Sequence, residues 1–481
     1  MGESRELKLV KNTIIYTISS FGSKVLTFLI VPLYTFYLTT AEFGTYDTII
    51  SVLNLLAPMC VLAIHEGLLR WLLKSEDKHG DIVGTGLTLL TVFIFIADIV
   101  VWSVCTLIKW KYKELFILLL TFSAFQNSFQ FMARGEKKNK VFAVSGIIYT
   151  LIMLSLNVIL VVMFRMGVKG MLWSMAIAYL VDTIYLVLML RDCIDIKEIR
   201  FNKKLALSML AYSIMLVPNN ISWWVMNTSD RLMLTAMSGA AVTGIYSLAN
   251  KFPSIVTILH TLFYQAWQEQ AVLEYDSDTR DTYYTKVFNS YMKVACCIVA
   301  ILIPLSKVVI VLFMDESYLS SYKYVGILYL GAIFSSFSSF YGTGYISAKD
   351  TKNAMKTTIV VAIVNFLINL ILIPFIGIWA ACISTVCGNI IVWIIRIKDT
   401  KKYFNISIKW ETFCIIMLVN IAFTVIICFI NLYETILMLM IAIIISVAIN
   451  KEILENIINF GMMDKYLAII NNCKKMKGSD S

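Results

Sequence analysis

Charge is scarce in this sequence. Asp, Glu, Lys and Arg together supply 15% of the 481 residues against 59% hydrophobic ones, and mean hydropathy is +0.79, which excludes an ordinary soluble domain. Histidine is nearly absent, with only His65, His79 and His260, so a metal site of ordinary type lacks ligands. The ten cysteines form no C-x-x-C pair and no Cys/His cluster. Scattered through apolar segments, with Cys296 and Cys297 adjacent, they read as small hydrophobes rather than disulfides or metal ligands. No P-loop, no G-x-S-x-G and no G-x-G-x-x-G after a strand is present, which removes nucleotide hydrolysis and triad-type acyl transfer. The apolar runs are roughly twenty residues long, not the roughly ten-residue alternating segments of an outer-membrane barrel, which leaves an α-helical membrane bundle. The polar stretch Met1 to Lys11 has no short apolar core or small-residue cleavage site, so the first apolar run is expected to stay as a span.

What is there is a series of helix-length apolar runs. Windowing predicts about fourteen spans, at 12–38, 44–69, 82–108, 114–133, 141–164, 168–190, 205–227, 240–267, 287–314, 324–347, 355–374, 377–395, 410–430 and 433–450. Of the 41 Lys and Arg, four fall within spans (Lys24, Lys251, Lys293, Lys307) and seven in one set of alternating loops (Lys109, Lys111, Lys113, Arg165, Lys169, Arg231, Lys323). The other thirty lie in the set that contains both termini, which are therefore expected on the cytoplasmic side of a multi-pass protein. Topology accounts for the net charge of +10, and nucleic-acid binding need not be invoked. Charge-rich linkers at 191–204 and 396–409 divide the chain into an N-lobe at 1–200, a C-lobe at 201–398, and a final helix pair with a polar tail at 399–481.

The first span sets the design. Thr13, Thr17, Ser20, Lys24 and Thr27 recur every three or four residues and so share one helix face. Lys24 lies about fourteen residues from either end of its span, about 20 Å deep at 1.5 Å per residue. A lysine at mid-bilayer costs about 2.5–3.5 kcal/mol on insertion scales and faces water or a partner. The chain then repeats itself. Ala41-Glu-Phe-Gly44-Thr-Tyr46 matches Ala241-Val-Thr-Gly244-Ile-Tyr246, Phe122-Ser-Ala-Phe125 matches Phe334-Ser-Ser-Phe337, Ala133-Arg134 with Asn139 matches Ala348-Lys349 with Asn353, and Gly170-Met-Leu-Trp matches Gly377-Ile-Trp-Ala. Four matches in one order at nearly constant offset argue for a duplicated six-helix unit. Six being even, the copies run parallel, with a path expected at their interface.

Candidate residues follow from polar stripes and buried charges. On the seventh span Ser208, Tyr212, Asn219, Trp223, Asn227 and Asp230 fall near one stripe, with Pro218 expected to bend it. On the eighth, Thr243, Ser247, Asn250, Ser254, Thr257, Thr261, Tyr264 and Gln268 form an unbroken polar stripe flanked by Lys251 and His260. That stripe reads as a hydrated wall rather than interhelical glue. Glu66 and Arg70, four apart beside His65, suit either a salt bridge or a substrate contact. Asp98 and Asp182 are intramembrane carboxylates, and so candidates for a coupling cation or proton. The tenth span, dense in Ser, Gly and aromatics, and the fourth, with Phe125, Gln126, Asn127, Phe129 and Gln130, offer close packing or sugar contacts.

Pro32-Leu-Tyr34, Ala41-Glu-Phe-Gly44-Thr-Tyr46, Asp230-Arg231-Leu-Met-Leu and Val242-Thr-Gly244-Ile-Tyr246-Ser-Leu-Ala249-Asn250-Lys251 together resemble the bacterial polysaccharide flippases. These belong to the superfamily that also holds multidrug extruders and lipid II flippases. The resemblance implies an all-α, MATE-like fold of two six-helix lobes in parallel pseudo-twofold repeat plus a C-terminal pair. It also implies a non-enzymatic transporter that carries an undecaprenyl-pyrophosphate oligosaccharide from the inner to the outer leaflet of the bacterial cytoplasmic membrane by alternating access. O-antigen, capsule or exopolysaccharide assembly, with its polymerase and export machinery, would be the downstream partner. No resident cofactor is implied beyond a coupling Na+ or H+. Lys24, Arg70 and Lys251 match basic positions of the family and are expected to meet the pyrophosphate, with Glu66, Asn219, Asn250, His260, Asp230 and Arg231 completing the substrate set. The alternatives are a cation-coupled drug extruder, a lipid II flippase, or a membrane glycosyltransferase, the last opposed by uniformly short outer loops.

Overall fold

A computed structural model describes residues 26–28, 30–74, 78–193, 200–348, 350–451 and 455. Lys24 and the polar stripe of the first span before Thr27 lie outside these residues. Among the described residues the regular structure is helical throughout. The helices are α1 (Val31–Tyr37), α2 (Thr40–Cys60), α3 (Ile64–Lys74), α4 (His79–Leu107), α5 (Lys113–Gly135), α6 (Asn139–Asn157), α7 (Gly167–Leu190), α8 (Lys203–Ser213), α9 (Val217–Ser238), α10 (Ala240–Lys251), α11 (Ser254–Leu273), α12 (Arg280–Phe313), α13 (Tyr322–Ser347), α14 (Thr351–Ile376), α15 (Ile378–Asp399), α16 (Trp410–Ile426) and α17 (Leu432–Ile449).

The expectation of fourteen spans is not met one for one. Ten described helices are long and apolar enough to cross a membrane, or eleven if α2 and α3 count as one broken span. The described part of the first span and α16 are helical but short. The eighth expected span divides at Phe252 and Pro253 into α10 and α11, because proline has no N–H to continue the ladder. The seventh is interrupted by a 3-10 turn at Ile214–Leu216, just before Pro218. Helices α2 and α3 meet at a 54° bend. There Leu62 and Ala63 take φ of 47° and 52°, a left-handed conformation rare for side chains with a Cβ. The turn keeps its backbone bonds, Ala63 N donating to Pro58 O at 2.8 Å and Leu62 N to Met59 O at 3.0 Å.

The internal repeat is visible in the packing. In the first half α5 packs on α3 and α7, and α6 on α7; in the second, α13 packs on α11 and α15, and α14 on α15. Buried apolar side chains divide accordingly. One core draws on Ile49 to Met209, and the other gathers the rest of the chain to Ala442 together with Ile30, Val31, Tyr34, Leu38 and Phe43 and, from the first half, Val161 and Met171. The seventh span crosses between them. Its first part, α8, seats Leu205, Ala206 and Met209 in the first core, while α9 packs on α14.

The final pair, α16 and α17, packs on α12. Lys307 of α12, 4% exposed, fixes it by donating to the carbonyls of Ile427 at 2.8 Å and Ile430 at 2.6 Å. These are groups that the end of α16 leaves unpaired. Lys307→Met is expected to strand both acceptors, at about 1–3 kcal/mol each, and to lower the thermal unfolding midpoint of the purified protein. An unchanged midpoint would mean that apolar packing alone seats the pair.

Candidate functional site

The two bundles meet where α2 crosses α10, and glycine permits the crossing. A Cβ on Gly44 would run into the Ala240 carbonyl and lie 2.6 Å from Gly244 N; one on Gly244 would run into the Thr40 carbonyl and lie 3.1 Å from Gly44 N. The repeated glycines of the two halves thus touch backbone to backbone. One turn further along, the equivalent positions Asp47 and Ser247 face each other, the Ser247 hydroxyl donating to Asp47 Oδ2 at 2.6 Å.

Asp47 is the hub of this seam. Arg231 Nε on α9 lies 2.6 Å from Asp47 Oδ2, with the two side chains 17% and 11% exposed. That leaves far less solvent screening than a surface pair has. Lys251, one turn beyond Ser247, adds a second positive charge to the Asp47 environment. Asp230 accepts the Tyr246 hydroxyl and the Arg231 N–H at 3.1 Å. Two carboxylates and two cations therefore balance. A hydroxyl ladder continues the seam, with Thr48 Oγ1 2.6 Å from Thr235 Oγ1 and Thr235 Oγ1 2.8 Å from Thr243 Oγ1. Trp224 Nε1 donates to Ser51 O at 2.7 Å. The same end is tied by Tyr318 OH to Leu38 O at 3.0 Å and by Asp315 N to Thr35 Oγ1 at 3.2 Å.

Of the expected substrate residues, Arg231, Lys251, Asp230 and Asn250 belong to this region. The first three stand in the charge cluster. Asn250 lines a small, partly open cavity of about 80 Å3 with Asn227, Asp230, Asn365, Thr385 and Asn389. Asn227 and Asn389 donate their amide hydrogens to Trp223 O and Thr385 O, which leaves amide oxygens beside a carboxylate. Such a donor set suits a monovalent cation. Asn219 is half-buried in the first turn of α9.

Arg70 and Glu66 lie at the opposite end on α3. They line a cleft of about 340 Å3 with Leu69, Leu73 and Tyr212. The i, i+4 ion pair does not form; the Arg70 guanidinium instead lies 4.3 Å over the Tyr212 ring. His260 on α11 accepts or donates through Nδ1 to Tyr291 OH at 2.7 Å. The polar stripe of the eighth span divides in two. Thr243 and Ser247 are buried in the seam, whereas Ser254 and Thr257 are exposed.

The two expected coupling acids sit in the first bundle. Asp182 is fully buried and its Oδ2 accepts from Gln126 Nε2 at 2.7 Å and Ser145 Oγ at 2.8 Å. Asp98 Oδ2 accepts from Thr121 at 2.7 Å. In both, the buried Oδ1 has no hydrogen-bond partner among the described residues. Gln126 and Gln130 thus serve Asp182, directly and through Ser145. The aromatics of α13 are likewise core. Phe337, Phe340 and Tyr345 are wholly buried, and Phe340 stacks on Trp267 at 4.2 Å. Of the two readings of the tenth span, this conformation shows close packing, with these ring faces covered.

Nothing in the polar stripes of the sequence singles out Asp47 or Thr48. A signal existed: they directly follow the repeated Gly-x-Tyr motif, opposite the polar stripe at Ser247.

A family model described as polysaccharide biosynthesis protein matches residues 9–268, more than half of the chain. The chain belongs to this family. An uncharacterized membrane protein of Methanocaldococcus jannaschii is similar to this family member, 26% identical over 235 residues, or 47% of this chain and 45% of the relative. The match therefore spans about half the length of that curated relative. Among solved structures, the lipid II flippase MurJ in an inward closed conformation superposes with a TM-score of 0.70 at 14% identity, over 92% of this chain and 100% of that one. An inward-facing multidrug resistance transporter of the MATE family, MOP superfamily, gives 0.60 at 14% identity over 84% and 95%. A MOP superfamily transporter of Pyrococcus furiosus gives 0.55 at 13% over 82% and 94%. The polysaccharide biosynthesis family member thus shares the MATE-like fold expected from its sequence.

Proposed function

We propose that this protein is a flippase that carries an undecaprenyl-pyrophosphate-linked oligosaccharide from the inner to the outer leaflet of the bacterial cytoplasmic membrane by alternating access. The observation that carries the reading is the asymmetry of the seam. At one end α2, α9 and α10 are latched by Asp47, Arg231, Ser247 and the threonine ladder. At the other, α3 with Arg70 and α11 with His260 pack within their own bundles. The positive-inside count puts the latched end outside and the unlatched end in the cytoplasm, where a lipid-linked anion would enter. Lys24, and Arg70 on the first bundle, are the proposed pyrophosphate contacts, since a basic side chain in a poorly hydrated cavity binds such an anion strongly. Arg231 and Lys251, neutralised by Asp47 and Asp230 while the latch is shut, become available to the anion as it opens. Asp98 and Asp182, each with a buried oxygen unpartnered among the described residues, and the Asp230 cavity are the proposed sites for a coupling Na+ or H+. Polysaccharide polymerase and export machinery are the proposed downstream partners.

The test uses proteoliposomes, following outward movement of an undecaprenyl-pyrophosphate oligosaccharide beside efflux of a lipophilic cationic dye. Glycolipid movement without dye efflux, lost in a folded Lys24→Ala variant, is the expected result. Dye efflux without glycolipid movement would make the protein a drug extruder, and undiminished movement in Lys24→Ala would remove that residue from the anion site.

A further inference from the structure

At the unlatched end, a cleft of about 470 Å3 opens between α14 and α15, lined by Asn353, Lys356, Thr357, Lys398 and Asp399, with Val360 and Ile395 on its apolar side. Its charges do not balance. The described side chains of this corner include five cations, Lys356, Arg396, Lys398, Lys401 and Lys402, and two carboxylates, Asp350 and Asp399. One lysine occupies both acids: Lys402 Nζ lies 3.2 Å from Asp399 Oδ1 and 3.6 Å from Asp350 Oδ2. Asp350 is further satisfied by the Tyr403 hydroxyl, which holds its carboxyl down to about 2, and by Asn353 Nδ2 at 2.6 Å. Arg396, behind the cleft, is spent on neutral acceptors, Ser338 O at 2.9 Å and Thr357 Oγ1 at 3.3 Å. Lys356 and Lys398 therefore face the cleft without an acid partner among the described residues.

The cleft also continues into a lipid-facing surface. Below it α14 exposes Val360, Ile363, Leu367, Leu370, Ile371 and Phe375, an apolar face one helix long. A paired cation site at the basic end of such a face matches a phosphodiester carrying acyl chains, since lysines at this depth keep their stems on apolar surface and their ammonium groups at the headgroup level. We propose that this cleft binds an anionic glycerophospholipid, its phosphate between Lys356 and Lys398 and one chain along Val360 and Ile395. The site is separate from the interbundle seam and does not depend on the identity of the cargo.

The experiment places the full-length protein, labelled with an environment-sensitive fluorophore at Val360→Cys, in nanodiscs containing brominated phosphatidylglycerol or brominated phosphatidylcholine. Quenching by phosphatidylglycerol at low mole fraction, and by phosphatidylcholine only at high fraction, is expected. Lys356→Gln with Lys398→Gln should weaken the phosphatidylglycerol response about 30-fold, from the attraction of two lysines near a charged headgroup. Removing two lysines elsewhere, Lys109→Gln with Lys111→Gln, should leave it intact. Should the double glutamine variant not fold, Lys356→Arg with Lys398→Arg must keep the preference. Equal quenching by the two lipids, an unchanged response after removing both lysines, or displacement of phosphatidylglycerol by stoichiometric undecaprenyl pyrophosphate would each overturn the assignment.

Discussion

Gly44→Ala and Gly244→Ala are each expected to hold the latched end apart and to reduce transport at least tenfold. The new methyl group meets backbone rather than a side chain, the Ala240 carbonyl in one case and the Thr40 carbonyl in the other, so no rotamer change can relieve it. Overpacking of this kind costs about 1–3 kcal/mol and sometimes more, enough to shift a two-state equilibrium about 5–150-fold. The shift should be seen directly as faster reaction of a cysteine at Thr235 with a membrane-impermeant maleimide added outside. Unaltered reactivity and transport in both variants would show that the bundles need not approach so closely.

Arg231→Met should have an effect as large, by a different route. It leaves Asp47 in a poorly solvated seam with only Ser247 and the more distant Lys251 to offset its charge. Breaking a buried ion pair from one side costs about 3–5 kcal/mol, and here that cost falls on the closed state, since an opened seam lets water reach Asp47. Asp47→Asn added to Arg231→Met should restore much of the closure, because the remaining pair, Asp230 and Lys251, then balances again. A double variant no better closed than the single one would show that Arg231 acts through its donation to Asn227 O at 2.9 Å and not through Asp47.

The repeated glycine motifs were legible because duplication leaves a constant spacing, and the structure explains why they persist in both copies: they are the two sides of one crossing. The hub was not legible. Asp47 stands two turns into α2, where a carboxylate reads as helix-end solubility, and only the approach of α9 reveals its partner. The aromatic tenth span leaves two readings open for a related reason, since hydroxyl-bearing aromatics serve sugar contacts and interhelical packing equally well and only burial separates them. The bend at Leu62 and Ala63 carries no glycine to announce it, whereas Pro253 was visible but could not be told from a proline tolerated within a span. Asp98 and Asp182 stand out in the sequence because a carboxylate in an apolar run is conspicuous whatever surrounds it.

The central claim is that the bundles must part at the latched end for cargo to cross. Thr48 and Thr235 place their hydroxyl oxygens 2.6 Å apart, close enough for cysteines at the two positions to form a disulfide across the seam. Glycolipid movement in proteoliposomes bearing Thr48→Cys with Thr235→Cys should be lost on oxidation and return on reduction, while the parent protein is indifferent to both. Full transport by the cross-linked protein would contradict the account.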